Sequence, residues 1–435
     1  MTNQRARYEA DRCLYCFEAP CTAACPVHID IPGFIAMIRS GNVRGAAEVV
    51  KSSNALANVC GNICPEEVFC QSVCNRAEID TPIQIRELHH FATHDEAVRG
   101  FSPLRSFEPG GKQVAVVGGG PAGISCAFEL AKLGHKVTIF DKSGLGGVAR
   151  SSIPQVRLPD AELLADLWFL SGHFTVRRRK IDDSGLERLK KEFDAIFLAV
   201  GLGMDRALVI PGEHLAGVVP VLKFLEEARS NWERVSVGKN VVVIGGGNVS
   251  LDAAATAKRL KASSVVLIYR RGEHEMKVWT SELGQARMLG VEFSFLTLPV
   301  ELVGDSKGRV SGVRCRKTKL SGKRDASGRP IPVEIAGSEH VIPADTVIIA
   351  IGQDIPEGLF ASVPRTRRGY LNVDKEFQTP VPGIFAGGDA IAGEGTIVQS
   401  VAQGKHAARS IHAYLAKKRP AQPKPARTAV RSRKG

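Results

Sequence analysis

Apolar positions follow two different periods along the chain. In the first hundred residues they recur every three or four positions, as in Ile31, Phe34, Ile35 and Ile38, and again in Val43, Ala46, Ala47 and Val50. That spacing predicts two short helices, over 31–40 and 43–51, each with one buried face. From residue 113 the pattern changes. The runs 113–117 and 136–140 are short and mostly apolar, which predicts buried strands. A glycine turn and a helical pattern over 122–133 lie between them and complete a β-α-β unit. A second unit follows, with a strand over 241–244, a glycine turn, a helix over 251–260 and a strand over 265–269. Further buried-strand patterns stand at 195–200, 346–351 and 384–386, and a closing helix is expected over 396–414.

Two copies of one nucleotide-binding unit imply two nucleotides, with the second unit inserted into the first. The expected domains are a helical one over 1–108, a first dinucleotide domain from 109–236 and 346–416, a second over 237–345, and a tail over 417–435. The stretch 101–111 holds Pro103, Pro109, Gly110 and Gly111 and reads as a linker.

Composition changes this picture in two places. The net charge of +13 is unevenly spread: the last 19 residues carry eight Lys or Arg and no acid. With three prolines there, that segment cannot build a core and reads as a solvated tail. The rest of the chain has ordinary charge and gives no reason to expect nucleic acid. The start is polar, and no apolar run approaches the roughly 18 residues that a membrane span needs. A cytoplasmic location is therefore expected, where thiols stay reduced and clustered cysteines argue for metal over disulfides.

The first glycine turn is Gly118-Gly119-Gly120-Pro121-Ala122-Gly123. Placed between a strand and a helix, it fits the dinucleotide fingerprint. Gly118 allows the tight turn, Gly120 lets backbone approach a pyrophosphate, and Gly123 lets helix and strand pack closely. Pro121 and Ala122 open the helix whose N-terminus would face the anion. Asp141 ends the next strand, about 20 residues on, where a carboxylate meets a ribose hydroxyl. The second turn runs Gly245-Gly246-Gly247-Asn248-Val249-Ser250, with Ser250 at the third small position. After its strand come Arg270 and Arg271 rather than an acid, and Lys277 follows. Guanidinium and ammonium groups there suit the 2′-phosphate of NADP. Near the end, Gly387-Gly388-Asp389 closes a strand, and Thr396 opens a helix that could face a flavin. Gly147, Gly201 and Gly352 are assigned to the cofactor sites as well.

Eight of the ten cysteines fall within residues 13–74. Cys13-x2-Cys16-x4-Cys21-x3-Cys25-Pro26 resembles a bacterial iron–sulfur run with one widened gap. Cys60-x3-Cys64-Pro65 and Cys70-x3-Cys74 form the second set. Zinc is the rival ligand. Cys126 and Cys315 stand apart and read as structural. No C-x-x-C follows either glycine turn, which argues against a disulfide reductase.

These motifs, in this order, resemble the electron-input half of dihydropyrimidine dehydrogenase and the small subunit of bacterial glutamate synthase. The resemblance runs from about Arg12 to Leu415. It rests on Arg12-Cys13-Leu14-x-Cys16, Ala19-Pro20-Cys21, Ala24-Cys25-Pro26, Ile63-Cys64-Pro65, Ile153-Pro154-Gln155-x-Arg157-Leu158-Pro159 and Phe385-Ala386-Gly387-Gly388-Asp389. Cys21-x3-Cys25 and Pro82-Ile83-x-Ile85-x-x-Leu88-x-x-Phe91 are closer to the dihydropyrimidine dehydrogenase type. The resemblance implies an α-helical two-cluster iron–sulfur domain followed by an α/β flavoprotein, with a Rossmann-like FAD domain and an inserted NAD(P)H domain. One [4Fe–4S] cluster would take Cys13, Cys16, Cys21 and Cys74. The other would take Cys25, Cys64 and Cys70, with a fourth ligand other than cysteine. The family places Gln or Glu where this chain has His89, so His89 is favoured and Cys60 is the simpler chemical choice.

The same resemblance puts Arg157 and Asp389 on FAD, and Arg270, Arg271 and Lys277 on NADPH, with NADH second. It implies a separate catalytic subunit in a hetero-oligomer, a flavoprotein that reduces uracil and thymine. A glutamate synthase small subunit, a ferredoxin–NADP transhydrogenase subunit and a non-catalytic redox sensor are the alternatives. No residue of this chain is expected to act as an acid or base on an organic substrate.

Overall fold

In the computed structural model, residues 1–100, 110–325 and 327–417 are described. Most of the expected linker and all but the first residue of the expected tail lie outside them.

The first hundred residues are helical. They comprise α1 (Asn3–Asp11), α2 (Pro20–Ala24), α3 (Ile31–Arg39), α4 (Val43–Ser53), α5 (Ala57–Ile63) and α6 (Ile85–Arg99). Asp30 and Asn42 cap α3 and α4 by accepting from Gly33 and Gly45, so both helices start where the apolar period starts. Ile31, Phe34, Ile35, Ile38 and Val50 are buried in one core with Leu88 and Ala92 of α6. The cysteines lie in the turns between these helices, apart from Cys21 in α2 and Cys60 in α5.

The first α/β unit holds β1 (Gln113–Val117), α7 (Pro121–Lys132), β2 (Lys136–Asp141), α8 (Val148–Ser151), α9 (Asp160–Phe169), β3 (Thr175–Arg178), α10 (Asp183–Glu192) and β4 (Ala195–Leu198). A short strand, β5 (Met204–Asp205), leads to β6 (Val218–Pro220) and α11 (Val221–Ser230). The second unit continues through β7 (Asn240–Gly245), α12 (Asn248–Arg259), β8 (Ser264–Tyr269), α13 (Thr280–Met288) and β9 (Glu292–Phe295). An antiparallel insert follows: β10 (Thr297–Gly304), β11 (Val310–Arg324), β12 (Pro330–Glu334) and β13 (His340–Pro343). The chain closes with β14 (Thr346–Ala350), β15 (Gln353–Asp354), β16 (Ile384–Ala386), α14 (Asp389–Ala392) and α15 (Ile397–Lys417).

Two five-stranded parallel sheets result, ordered β16-β4-β1-β2-β3 and β6-β14-β7-β8-β9. Parallel strands buried on both faces explain the unbroken apolar runs of β1, β4, β7 and β14. The sheets move the expected boundaries at 236 and 345. Both β6 and β14 were expected in the first unit, yet both pair within the second sheet, with β14 between β6 and β7. A linear reading could not see this, because the chain enters the inserted unit through β6 and leaves through β14. The two strands of β5 and β15 pair as an antiparallel ribbon at that crossing.

Candidate cofactor and cluster sites

The first glycine turn is shaped by what surrounds it. Gly118 has φ 111°, and a Cβ there would lie 2.2 Å from the Ala199 carbonyl oxygen. A Cβ on Gly123 would lie 2.0 Å from the Gly118 oxygen. At Gly120 the nearest atom is 3.9 Å away, the Cα of Gly147. The outer glycines are thus required by packing, while the middle one leaves the backbone open to a ligand. No side chain caps the start of α7, so its first N–H groups are available to an anion. Asp141 braces this turn: one carboxylate oxygen accepts from Gly119 at 2.8 Å, the other from Ser143 and Gly144 at 2.7 and 3.0 Å.

The opposite wall comes from the end of the chain. Gly388, at φ 73°, donates its N–H to Gln403 Oε1 at 2.7 Å. Asp389 follows, and burial pushes its carboxyl up to about 6, with Glu394 adding to the shift. Thr396 and Gln399 form a capping box on α15: Thr396 N–H donates to Gln399 Oε1 at 3.0 Å, and Gln399 N–H to Thr396 Oγ1 at 3.2 Å. Helix α15 crosses α7 closely, since a Cβ on Gly404 would lie 2.2 Å from the Ala122 oxygen. Gly201 and Gly352 stand just after β4 and β14, and Gly352 is flanked by Arg206 and Glu394.

The second turn repeats the design. A Cβ on Gly245 would lie 2.1 Å from the Ala350 oxygen, while Gly247 has nothing within 4 Å. Ser250, the departure from glycine, donates its hydroxyl to the Gly247 carbonyl at 2.6 Å. Asn248 Oδ1 accepts from Trp279 N–H at 3.1 Å, and Lys277 N–H donates to Gly246 at 3.3 Å.

The basic set after β8 is split. Arg270 and Lys277 are exposed. Arg271 is only 2% exposed, and it donates to Asp325 Oδ2 at 2.6 Å and to the Pro330 carbonyl at 2.9 Å. Both arginines lie in the bend just after β8, which leaves one side chain exposed and turns the other inward. Arg271 therefore departs from its expected place on a phosphate and holds the β11–β12 hairpin instead. Burial lowers the Arg270 guanidinium, and the neighbouring charges of Arg271 and Arg329 add to the effect. Arg329 is thus a basic neighbour of Arg270 that sequence reasoning missed; it lies 59 residues away along the chain.

Arg157 is held by the second unit. Its Nη1 lies 2.7 Å from both carboxylate oxygens of Asp252 on α12, and Nη2 bonds Glu282 on α13. Burial pushes Glu282 up to about 7, opposed by Arg157. The residue expected on FAD thus also bridges the two sheets, with partners that sequence reasoning did not name.

The cysteines fall into two adjoining groups, in contact where Cys70 feels Cys21. Cys13 feels Cys74 and Cys16, and Cys21 feels Cys13 and Cys74. Cys64 feels Cys60, Cys70 and Cys25. Cys74 therefore joins the first three cysteines across the chain. Burial pushes Cys21 up to about 11 and Cys60 up to about 12, with nearby thiols adding in each case. Such sets of desolvated thiols become good ligands once a cation is present to stabilise the thiolates. All ten cysteines are free. Among the described residues, no three cysteine sulfurs lie within 4.8 Å of one another. Tyr15, Glu18, Ala19 and His28 all have positive φ. Four non-glycine residues in that region around one cysteine run make this a strained loop.

His89 on α6 is 7% exposed, and its Nε2 has no hydrogen-bond partner. Burial pulls its pKa down to about 4, opposed by a backbone hydrogen bond at Ala57. A buried neutral imidazole with one nitrogen anchored and the other free is the form that binds metal. Cys60 lies in the adjacent helix α5, which packs against α6 where Gly61 meets His90.

Residues 112–408 match the family model of the pyridine nucleotide-disulphide oxidoreductases. The chain belongs to this family. Residues 1–100 match the model described as dihydropyrimidine dehydrogenase domain II, 4Fe-4S cluster. The two matches make this family member an iron–sulfur flavoprotein NAD(P)H oxidoreductase. The chain is 36% identical to the NADP(+)-dependent formate dehydrogenase subunit beta of Moorella thermoacetica, over 91% of this chain and 60% of that one. It therefore spans only 60% of that relative's length. It is 35% identical to the NAD-dependent dihydropyrimidine dehydrogenase subunit PreT of Escherichia coli K12, over 95% of each chain. It is 33% identical to the glutamate synthase [NADPH] small chain of the same organism, over 94% of this chain and 92% of that one. Mycobacterium tuberculosis FprA in complex with NADPH shares the fold at TM-score 0.60 and 21% identity, covering 70% of this chain and 85% of that chain. No described helix of this oxidoreductase is long and apolar enough to cross a membrane.

Proposed function

We propose that this oxidoreductase is an electron-input subunit, receiving hydride from NADPH at an FAD and delivering electrons through two [4Fe–4S] clusters to a catalytic partner that reduces uracil or thymine. The observation that carries the reading is one chain holding two open, uncapped glycine-turn helix ends together with two adjoining groups of cysteines. When bound, the nucleotide, flavin and clusters would supply hydride transfer and its division into single electrons.

The chain's own residues bind and orient. Gly118, Gly120, Gly123 and the start of α7 would hold the FAD pyrophosphate, with Asp141, Gly147, Arg157, Gly388, Asp389 and Thr396 around the rest. Gly245, Gly247 and Asn248 would hold the NADPH pyrophosphate, and Arg270 with Lys277 its 2′-phosphate. Cys13, Cys16, Cys21 and Cys74 would hold one cluster. Cys25, Cys64 and Cys70 would hold the other, with His89 fourth because its buried Nε2 is otherwise orphaned.

Coverage of 95% of the PreT chain supports the pyrimidine reading, as does the spacing Cys21-x3-Cys25. The similar coverage of a glutamate synthase small chain favours a second reading, in which the partner is that enzyme's large subunit. The test is an anaerobic preparation assayed for iron, sulfide, flavin and zinc, followed by NADPH-dependent dye reduction. About eight iron and eight sulfide per chain are expected. Stoichiometric zinc without sulfide, or no dye reduction by flavin-replete protein, overturns the reading. The subunit that co-purifies decides between partners, and uracil reduction by this chain alone would refute the division of labour.

A further inference from the structure

We propose that His90, His94 and Glu162 form a binding site for one borderline divalent cation of the zinc class. The three ligand atoms converge: His90 Nε2 lies 3.1 Å from Glu162 Oε1, and His94 Nδ1 lies 2.8 Å from the same oxygen. All three atoms lie within 4.8 Å of one another, the one such group among the described residues. With metal bonds of about 2.0–2.1 Å, neighbouring ligand atoms in four- or six-coordinate geometry stand roughly 2.8–3.4 Å apart. The two edges to Glu162 already lie at that spacing, and the third is within 4.8 Å. No large rearrangement is needed to admit an ion.

The placement follows from helix geometry. His90 and His94 are one turn apart on α6 and share a face. Glu162 comes from the first turn of α9, across the junction between the helical domain and the first α/β unit. The Glu162 side chain is 8% exposed, His90 29% and His94 53%. The carboxylate is therefore buried and fixed, while the histidine side opens to solvent and leaves coordination positions for water. Two imidazoles and one carboxylate suit zinc, cobalt, nickel or copper, and give magnesium or calcium no advantage.

The site would act as a clamp. One turn along α9 from Glu162, Asp166 accepts the N–H groups of Asn58 and Val59 at 3.0 and 2.9 Å. That contact ties α9 to α5. A cation on Glu162 would tie the same helix to α6. This inference does not depend on the electron-transfer reading, because it uses none of the cysteines and none of the glycine turns.

The experiment uses the full chain as purified anaerobically, stripped with EDTA, with iron and sulfide measured before and after. Zinc alone is then added, and binding is followed by calorimetry, thermal melting and zinc-edge X-ray absorption. One zinc per chain is expected, with nitrogen and oxygen neighbours, no sulfur, unchanged iron, and a rise in melting temperature as a ligand of the native state requires. His94→Ala, at an exposed position, should weaken zinc binding by about tenfold or more, and Glu162→Gln should abolish the thermal shift. Binding that is absent at 100-fold molar excess, unchanged in both variants, or sulfur-ligated would each overturn the proposal. Should either variant lose iron, the wild-type absorption spectrum still decides, since it alone reports whether the first neighbours are nitrogen and oxygen.

Discussion

Arg157 and Asp252 join the two glycine-turn units: one guanidinium nitrogen lies 2.7 Å from both oxygens of the carboxylate. Arg157 sits in the segment between α8 and α9, and Asp252 one turn into the helix that follows the second glycine turn. The residue that the resemblance assigns to FAD is thus also a strut to the unit proposed to bind NADPH. Asp252→Ala should destabilise the chain by about 1–3 kcal/mol, since it leaves part of a desolvated charge unpaired. Urea unfolding measures this. Arg157→Ala should in addition lower retained flavin, and unchanged flavin content would remove Arg157 from that site.

The split of the basic set separates two arginines by role. Arg270→Ala should raise KM for NADPH about tenfold or more, through the loss of a phosphate contact of roughly 1.5–3 kcal/mol, and leave KM for NADH nearly unchanged. Arg271→Ala should instead cost stability, by about 3 kcal/mol, because Asp325 would lose its buried partner. Steady-state kinetics with both nucleotides and a thermal melt of each variant check this pair.

His89 carries a prediction about the second cluster. His89→Ala should lower iron and sulfide per chain, whereas His89→Cys should keep them. The cysteine variant should titrate at a lower potential than wild type, because imidazole in place of thiolate raises a cluster's potential. Electron paramagnetic resonance with redox titration reads both. A His89→Ala variant with unaltered iron and spectra would hand the position to Cys60.

Asp389 gives a pH dependence with a definite sign. Its carboxyl is pushed up to about 6 from an ordinary 3.8, chiefly by burial. The folded chain then binds this proton more tightly than the unfolded chain, so the contribution is present below about pH 4 and lost as pH rises through 6. The loss is at most roughly 3 kcal/mol at 1.36 kcal/mol per unit. Flavin-free Asp389→Asn should show a flatter stability profile between pH 4 and 6 than the flavin-free wild type. Identical slopes would refute the assignment.

The sequence by itself determined the parts. Glycines whose Cβ would strike a carbonyl, as at Gly118 and Gly123, are written in the chain because no other residue fits. Short, mostly apolar runs between turns are too brief for helices and read as buried strands, and β1, β2, β7 and β8 stand where those runs stand. The cysteine spacings marked a cluster of thiols near the start of the chain, because short loops bring near neighbours together, whereas the approach of Cys74 to Cys13 and Cys21 is a long-range contact. What only the tertiary structure decided are relations between distant segments. The placing of β6 and β14 in the second sheet depends on pairing across more than a hundred residues. The inward turn of Arg271 depends on Asp325 arriving from a hairpin. The convergence of His90 and His94 with Glu162 depends on how α6 lies against α9. Local propensity and spacing act over a few residues, and so they are legible in order along the chain. Which surfaces meet is set by the packing of whole layers, and that packing is encoded in no single stretch.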